Sequence, residues 1–157
     1  MRLMTIASGS SGNAGYLGSE STHLLIDAGI SRRRIVQGLE VAGLKPGELS
    51  GVLLTHEHAD HVCGLKVLLK KDAIPLYATA GTLAVIKKKG LLDEYPAERI
   101  HVIRGGETFS LGDLTVLPLS IDHDAAEPVG YRVTNGSKSA AFLTDLGHAT
   151  EELEKAL

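Results

Sequence analysis

A chain of 157 residues fits one domain able to bury roughly 70% of its unfolded surface, and its 43% apolar and 22% charged content is ordinary for a globular fold. A net charge of −3 excludes a bulk electrostatic pull towards nucleic acid or anionic membrane, so any such contact must come from local basic patches. No run approaches the roughly 20 apolar residues that cross a bilayer, and a single cysteine and an N-terminus without a secretory apolar core fit a cytoplasmic domain that touches no membrane.

With 4% aromatics and no Trp, the core must rest on Leu, Ile, Val and Ala. Residues 2–7 read as a first strand. Ser8-Gly9-Ser10-Ser11-Gly12-Asn13 is then either a hairpin turn or a loop whose small side chains let a substrate approach the backbone. Gly15–Gly18 and His23–Ile26 are short strands, the second ending in Asp27-Ala28-Gly29. Ser31 caps a helix reaching about Ala42, with Ile35, Leu39 and Ala42 on one face and Gly43 beyond its end. Arg32, Arg33 and Arg34 fall in its first turn, where the helix dipole disfavours cations. They are either solvated or a positive cluster facing a phosphate-bearing ligand.

After Pro46 comes the apolar strand Gly51-Val52-Leu53-Leu54, then Thr55-His56-Glu57-His58-Ala59-Asp60-His61. A helix is expected from about Asp60 to Lys71, with Val62, Leu65, Leu68 and Leu69 inward and Lys66, Lys70 and Lys71 outward. Leu76–Ala78 is a strand, and Thr79 caps a helix through Lys87–Lys89 to Gly90. Further strands fall at Ile100–Ile103, Phe109–Leu111 and Leu114–Ser120. Asn135-Gly136 is expected to join Tyr131–Thr134 to Ser139–Leu143 as a type I′ hairpin. The order, hairpins then βα units then hairpins, predicts an α/β protein with mixed sheets sandwiched by helices rather than a doubly wound parallel sheet.

The cluster at 55–61 is the chemical centre of the sequence. Imidazole and carboxylate are ligands for zinc and similar cations. His56 and His58 alternate by two, so an extended segment turns both to one side. Asp60 and His61 come where the chain turns into a helix and re-aims its side chains, suiting a second ion. Two later strands end in similar groups, Asp122-His123-Asp124 and Thr144-Asp145. His23 and His101 lie on strands without ligand neighbours and read as structural, and Cys63 reads as a small buried apolar residue.

Together, Asp27, His56-x-His58-x-Asp60-His61, His123 and Asp145 resemble the successive motifs of the metallo-β-lactamase superfamily. Ser8–Asn13, His123-Asp124-Ala125 followed by Pro128-Val129-Gly130-Tyr131, and Thr144-Asp145 are similar to its WalJ/YycJ/VicX-like branch. The resemblance implies an αββα sandwich with a binuclear site at the rim between two sheets. It implies that His56, His58 and His123 hold one divalent metal, Zn or Mn, and that Asp60, His61 and a bridging Asp145 hold the other. Asp27 would orient ligands from behind. Two ions roughly 3.5–4 Å apart activate a shared water for attack, with Asp60 taking its proton. The resemblance points to a phosphodiesterase or nuclease acting on DNA or RNA, and the basic cluster Arg32–Arg34, a candidate phosphate contact, favours the same substrate. The alternative is a hydrolase of small esters, thioesters or lactams.

The superfamily draws a last ligand histidine from a later strand, and no histidine follows His148 here. The single metallo-β-lactamase-like domain at 1–157 is therefore expected to be the N-terminal part of a longer one, incomplete at its C-terminus. His148, three residues after Asp145, is either a substitute ligand or an exposed polar residue near a helix start. Three further expectations follow: association with a missing C-terminal segment, homodimerisation through exposed sheet surface, and a half-domain that binds metal but is inactive alone.

Overall fold

The computed structural model describes residues 1–147 together with Leu153 and Lys155. Strands β1 (Arg2–Ala7), β2 (Ala14–Gly18), β3 (His23–Ile26), β4 (Gly51–Leu53), β5 (Leu76–Thr79) and β6 (Ile100–Ile103) form one sheet in sequence order. β1, β2 and β3 pair antiparallel, and β3 to β6 run parallel. The second sheet, all antiparallel, orders β10 (Ser139–Phe142), β9 (Val129–Thr134), β8 (Leu114–Ser120) and β7 (Phe109–Leu111).

Alternation along the strands builds the layers. Tyr16, Leu25, Val52 and Leu76 face a helical layer, where they pack with Ile35 and Leu39 of α1 (Arg32–Val41), Leu65, Leu68 and Leu69 of α3 (Leu65–Asp72), and Leu83 and Ile86 of α4 (Ala80–Lys88). Their neighbours Leu17, Leu24, Ile26 and Leu53 turn to the other side and meet Leu114, Val116, Val129, Tyr131 and Val133 of the second sheet. Leu153, helical, lies on Leu119 and Ile121 at that sheet's outer face. The mixed α/β sandwich expected from the sequence is the architecture observed. Despite the few aromatics, Tyr16 and Tyr131 are among the largest fully buried side chains. The Tyr131 hydroxyl donates to the Leu54 carbonyl, joining the two sheets just below the motif.

Ser31 caps α1, its Oγ accepting from the Arg34 N–H at 3.4 Å, and Gly43 follows the helix at φ +79°. The helix expected over 60–71 is broken into α2 (Ala59–Val62) and α3. The break is imposed from outside: the Gly64 N–H donates to the Ala28 carbonyl at 2.8 Å, and a Cβ on residue 64 would lie 1.9 Å from the Ile30 carbonyl oxygen. The break also exposes Cys63, expected to be buried, whose Sγ donates to the Gly29 carbonyl.

The hairpin at 135–138 also differs from expectation. Asn135 N–H donates to the Lys138 carbonyl, which makes Gly136 and Ser137 the central pair. Only Gly136, at φ +87°, has positive φ, the pattern of a II′ turn and not I′. Asn135 takes the preceding position because its Oδ1 accepts from the Ser137 and Lys138 N–H groups. No helix among the described residues is long and apolar enough to cross a membrane.

Candidate metal centre

Three loops leave the same end of the first sheet and are laced together by their backbones. Asn13 N–H donates to the Asp60 carbonyl at 2.7 Å, Gly29 N–H to the Asn13 carbonyl at 2.8 Å, and Ala28 N–H to the His61 carbonyl at 2.8 Å. Contact is close enough that a Cβ on Gly29 would sit 1.6 Å from the Asp60 carbonyl oxygen. The loop at 8–13 is the hairpin connection between β1 and β2, and its Asn13 end packs against the 27–29 and 60–61 segments.

Asp27 ends β3 at φ +61°, a left-handed conformation that aspartate tolerates better than most residues. Its carboxylate is 1% exposed and accepts three hydrogen bonds: from Thr55 N–H at 2.8 Å, Thr55 Oγ1 at 2.8 Å and His61 Nδ1 at 2.7 Å. Thr55 gives its one hydroxyl proton to Asp27, so its oxygen is free to accept from His56 Nδ1 at 3.0 Å. Both buried imidazoles therefore carry their proton on Nδ1 and present the Nε2 lone pair outward.

What those lone pairs meet is the test of fit for a cation. His56 Nε2 is buried and has no hydrogen-bond partner. Burial, followed by the neighbouring His61, His58 and His123 rings, holds the His56 pKa down at about 3, so the ring is neutral and its lone pair available. His61 Nε2 faces Asp145 Oδ2 at 2.8 Å and Asp60 Oδ2 at 3.5 Å. Burial alone pulls the His61 pKa down, but the bond to Asp27 and the fields of Asp27, Asp60 and Asp145 reverse it and the net direction is upward. A lone pair aimed at two carboxylates calls for a positive charge between them, supplied by a proton or by a metal ion.

The ligand atoms fall into two groups, His56–His58–His123 and His56–His61–Asp145, each with all its atoms within 4.8 Å of one another. His58 Nδ1 and His123 Nε2 are 3.2 Å apart. His56 belongs to both groups, and its one free lone pair, on Nε2, can serve a single ion. Asp145 comes from the end of β10 at φ +52°, again left-handed. Asp60 flanks the second group, its side chain 30% exposed. Nitrogen and carboxylate donors at this density support binding of a divalent metal.

The remaining candidates sort by position. Arg32 is engaged by Asp72 through two bonds of 2.7 and 2.8 Å, while Arg33 and Arg34 are exposed. His148 lies outside the described residues. His23 hydrogen-bonds the buried Tyr16 hydroxyl at 3.0 Å, and His101 stacks on Tyr77 at 4.5 Å. Two contributors were missed in the sequence. Thr55 orients His56 and anchors on Asp27, and Asn13 Nδ2 reaches Asp60 Oδ2 and His61 Nε2, each at 3.2 Å. The signal for Asn13 was present, an amide side chain closing a loop of Gly and Ser, but its target depends on loops far apart in sequence.

A family model for the beta-lactamase superfamily domain matches residues 22–157. The chain belongs to that superfamily. Within it, the chain is similar to the exodeoxyribonuclease WalJ of Streptococcus pneumoniae, 36% identical over 148 residues, which cover 94% of this chain and 55% of the relative. It is also similar to the exodeoxyribonuclease YycJ of Bacillus anthracis, 34% identical over 154 residues, covering 98% of this chain and 58% of that one. Among solved structures, Zn²⁺-bound PqqB from Methylobacterium extorquens matches with a TM-score of 0.74 and 26% identity, over 92% of this chain and 56% of that chain. The metallo-β-lactamase fold and the WalJ-like branch read from the motifs are borne out. This superfamily chain spans about half the length of the curated relatives it matches.

Proposed function

We propose that this chain carries the catalytic metal centre of a hydrolase that cleaves phosphodiester bonds in DNA. The observation that carries the reading is the convergence of a buried, partnerless His56 Nε2 with His58, His123, His61 and Asp145 on one point between the two sheets. DNA is preferred to RNA because two relatives matched over nearly the whole chain are named exodeoxyribonucleases.

In this reading His56, His58 and His123 hold one divalent ion, and His61, Asp145 and Asp60 a second. Zinc and manganese both suit these donors. A divalent ion so held supplies a Lewis acid and brings the pKa of water towards neutrality. The protein's own part is to fix the donors and move the proton. Asp27 and Thr55 lock the two buried rings with Nε2 outward. Asp60, partly open to solvent, accepts the proton from the attacking water, and Asn13 holds its carboxylate in place. Arg33 and Arg34 contact phosphates of the substrate; Arg32 is reserved for Asp72.

The test combines metal analysis by inductively coupled plasma with turnover of end-labelled DNA, alongside a panel of fluorogenic esters and lactams. Bound metal and DNA cleavage lost in His58→Ala support the proposal. A metal-free active chain, or cleavage unchanged by His58→Ala, overturns it. Turnover of the small substrates with none of DNA favours the esterase alternative, and metal uptake without turnover of either favours an inactive half-domain.

A further inference from the structure

Between the two motif histidines stands Glu57, which neither the metal nor the proton chemistry uses. On an extended segment, alternation turns His56 and His58 to one side and the residue between them to the other. His58 is extended, at φ −65° and ψ 150°. Glu57 points away from the metal ligands and is 6% exposed. A buried carboxylate is costly unless donors satisfy it, so its partners state its task.

Those partners lie on the loop that delivers His123. Glu57 Oε1 accepts from the Ala126 N–H at 2.7 Å, and Thr82 Oγ1 donates towards Oε2 at 3.5 Å. The main chain is held as well, Lys89 Nζ donating to the Glu57 carbonyl at 3.1 Å. The rest of the 121–128 loop rests on α4 through Glu127, whose Oε2 accepts from Gly81 N–H at 2.7 Å and whose carbonyl accepts from Thr79 Oγ1 at 2.8 Å. Val129 N–H then returns to the Thr55 carbonyl at 2.9 Å. Two of these ties join the 121–129 segment directly to the motif segment that carries His56 and His58. One is the β9 backbone bond from Val129 to Thr55; the other is the Glu57 carboxylate, and it is the one beside His123.

We propose that Glu57 is the positioning residue for His123: its carboxylate clamps the Ala126 N–H and so holds the His123 ring against His56 and His58. The inference rests on the proposed metal reading, in that His123 is held there to bind an ion. The strand end thus works in two directions, with ligands on one side and the brace for a third ligand on the other.

The variants are Glu57→Gln, which keeps an acceptor for the Ala126 N–H, and Glu57→Ala, which removes it. The readouts are Zn²⁺ affinity, the visible spectrum of the Co²⁺-loaded chain, and amide hydrogen exchange at Ala126. In Glu57→Ala, Zn²⁺ affinity is expected to fall about tenfold or more, with a changed Co²⁺ spectrum and Ala126 protection lost; Glu57→Gln stays close to wild type. Wild-type affinity and spectrum in Glu57→Ala overturn the proposal, and so does an equal loss in both variants. If the wild-type chain takes up no Zn²⁺, the metal reading fails, and Ala126 exchange alone decides the brace: unchanged protection in Glu57→Ala overturns it. Should Glu57→Ala fail to fold, Ala126→Pro deletes the same bond from its exposed side, and an undiminished Zn²⁺ affinity there overturns the proposal.

Discussion

The two ends of β3 carry two polar clusters that contrast in one respect. At its start, Asp113 from the β7–β8 turn accepts through Oδ1 from Thr22 Oγ1 at 2.6 Å, Ser19 Oγ at 2.7 Å and Ser21 Oγ at 3.0 Å. These bonds tie the two sheets together, and the hydroxyls of Thr22 and Ser19, in that order, hold the Asp113 carboxyl down at about 2. At its end, Asp27 likewise gathers donors, but the network stops at His56 Nε2, which has no partner, and at His61 Nε2, which faces carboxylates. Both clusters bridge the same two sheets. The first is closed by its own donors; the second leaves the His56 Nε2 lone pair free, and a cation would take it. A buried polar atom without a partner is uncommon and calls for one, such as a bound ion.

The unfinished end is expected to be the more sensitive to substitution. His58→Ala is expected to reduce metal content and to lower DNA cleavage by more than about a hundredfold, since even partners that only orient ligands cost 10–100-fold; a labelled-DNA time course checks this. Asp27→Asn comes next. It leaves the ligands in place but weakens the Nδ1 anchor of His61, and calorimetric titration should show metal affinity lower by about 10- to 100-fold.

Metal addition separates the ends more finely. An ion at about a hundred times its Kd should stabilise the wild-type chain by about 2.7 kcal/mol in denaturant titrations. The same increment is expected in Asp113→Ala, since distant sites act independently, and a smaller one in His58→Ala. An Asp113→Ala chain that gained nothing from metal would show that the two ends are coupled.

The smallest effect is at the finished end. Asp113→Ala should lower the thermal midpoint at neutral pH while leaving metal content unchanged. The folded-state pKa of about 2 lies below the ordinary 3.8, so this contribution is complete above pH 4 and is lost as pH falls through the folded value. The gap between wild type and variant should therefore close between about pH 4 and pH 2, read from melting curves at several pH values. Solvent screening keeps the effect modest.

Most of the fold was legible because its signals are local. Strands β3, β6, β7 and β8 lie at the bounds read from the sequence, and the Ser31 and Thr79 caps placed the starts of α1 and α4. Where expectation and structure part, the cause is a distant contact. The break at Gly64 comes from the Ala28–Ile30 backbone, about 35 residues earlier in the chain. The exposure of Cys63 follows from the same break. The II′ turn at Gly136 reflects which pair of residues the β9–β10 register leaves at the tip.

The motif spacing by itself determined that His56 and His58 share a side and that the chemistry is that of a metal, because side-chain direction along an extended chain is set by the backbone. The resemblance of separate strand ends indicated that Asp27, His123 and Asp145 belong with them. Only the tertiary structure decided that Thr55 fixes the His56 tautomer, that Asn13 reaches Asp60, that His56 lies within reach of both ligand groups, and that Glu57 faces the His123 loop. Each of those depends on where three loops meet, and that is set by sheet pairing and layer packing across tens of residues, which no local pattern encodes.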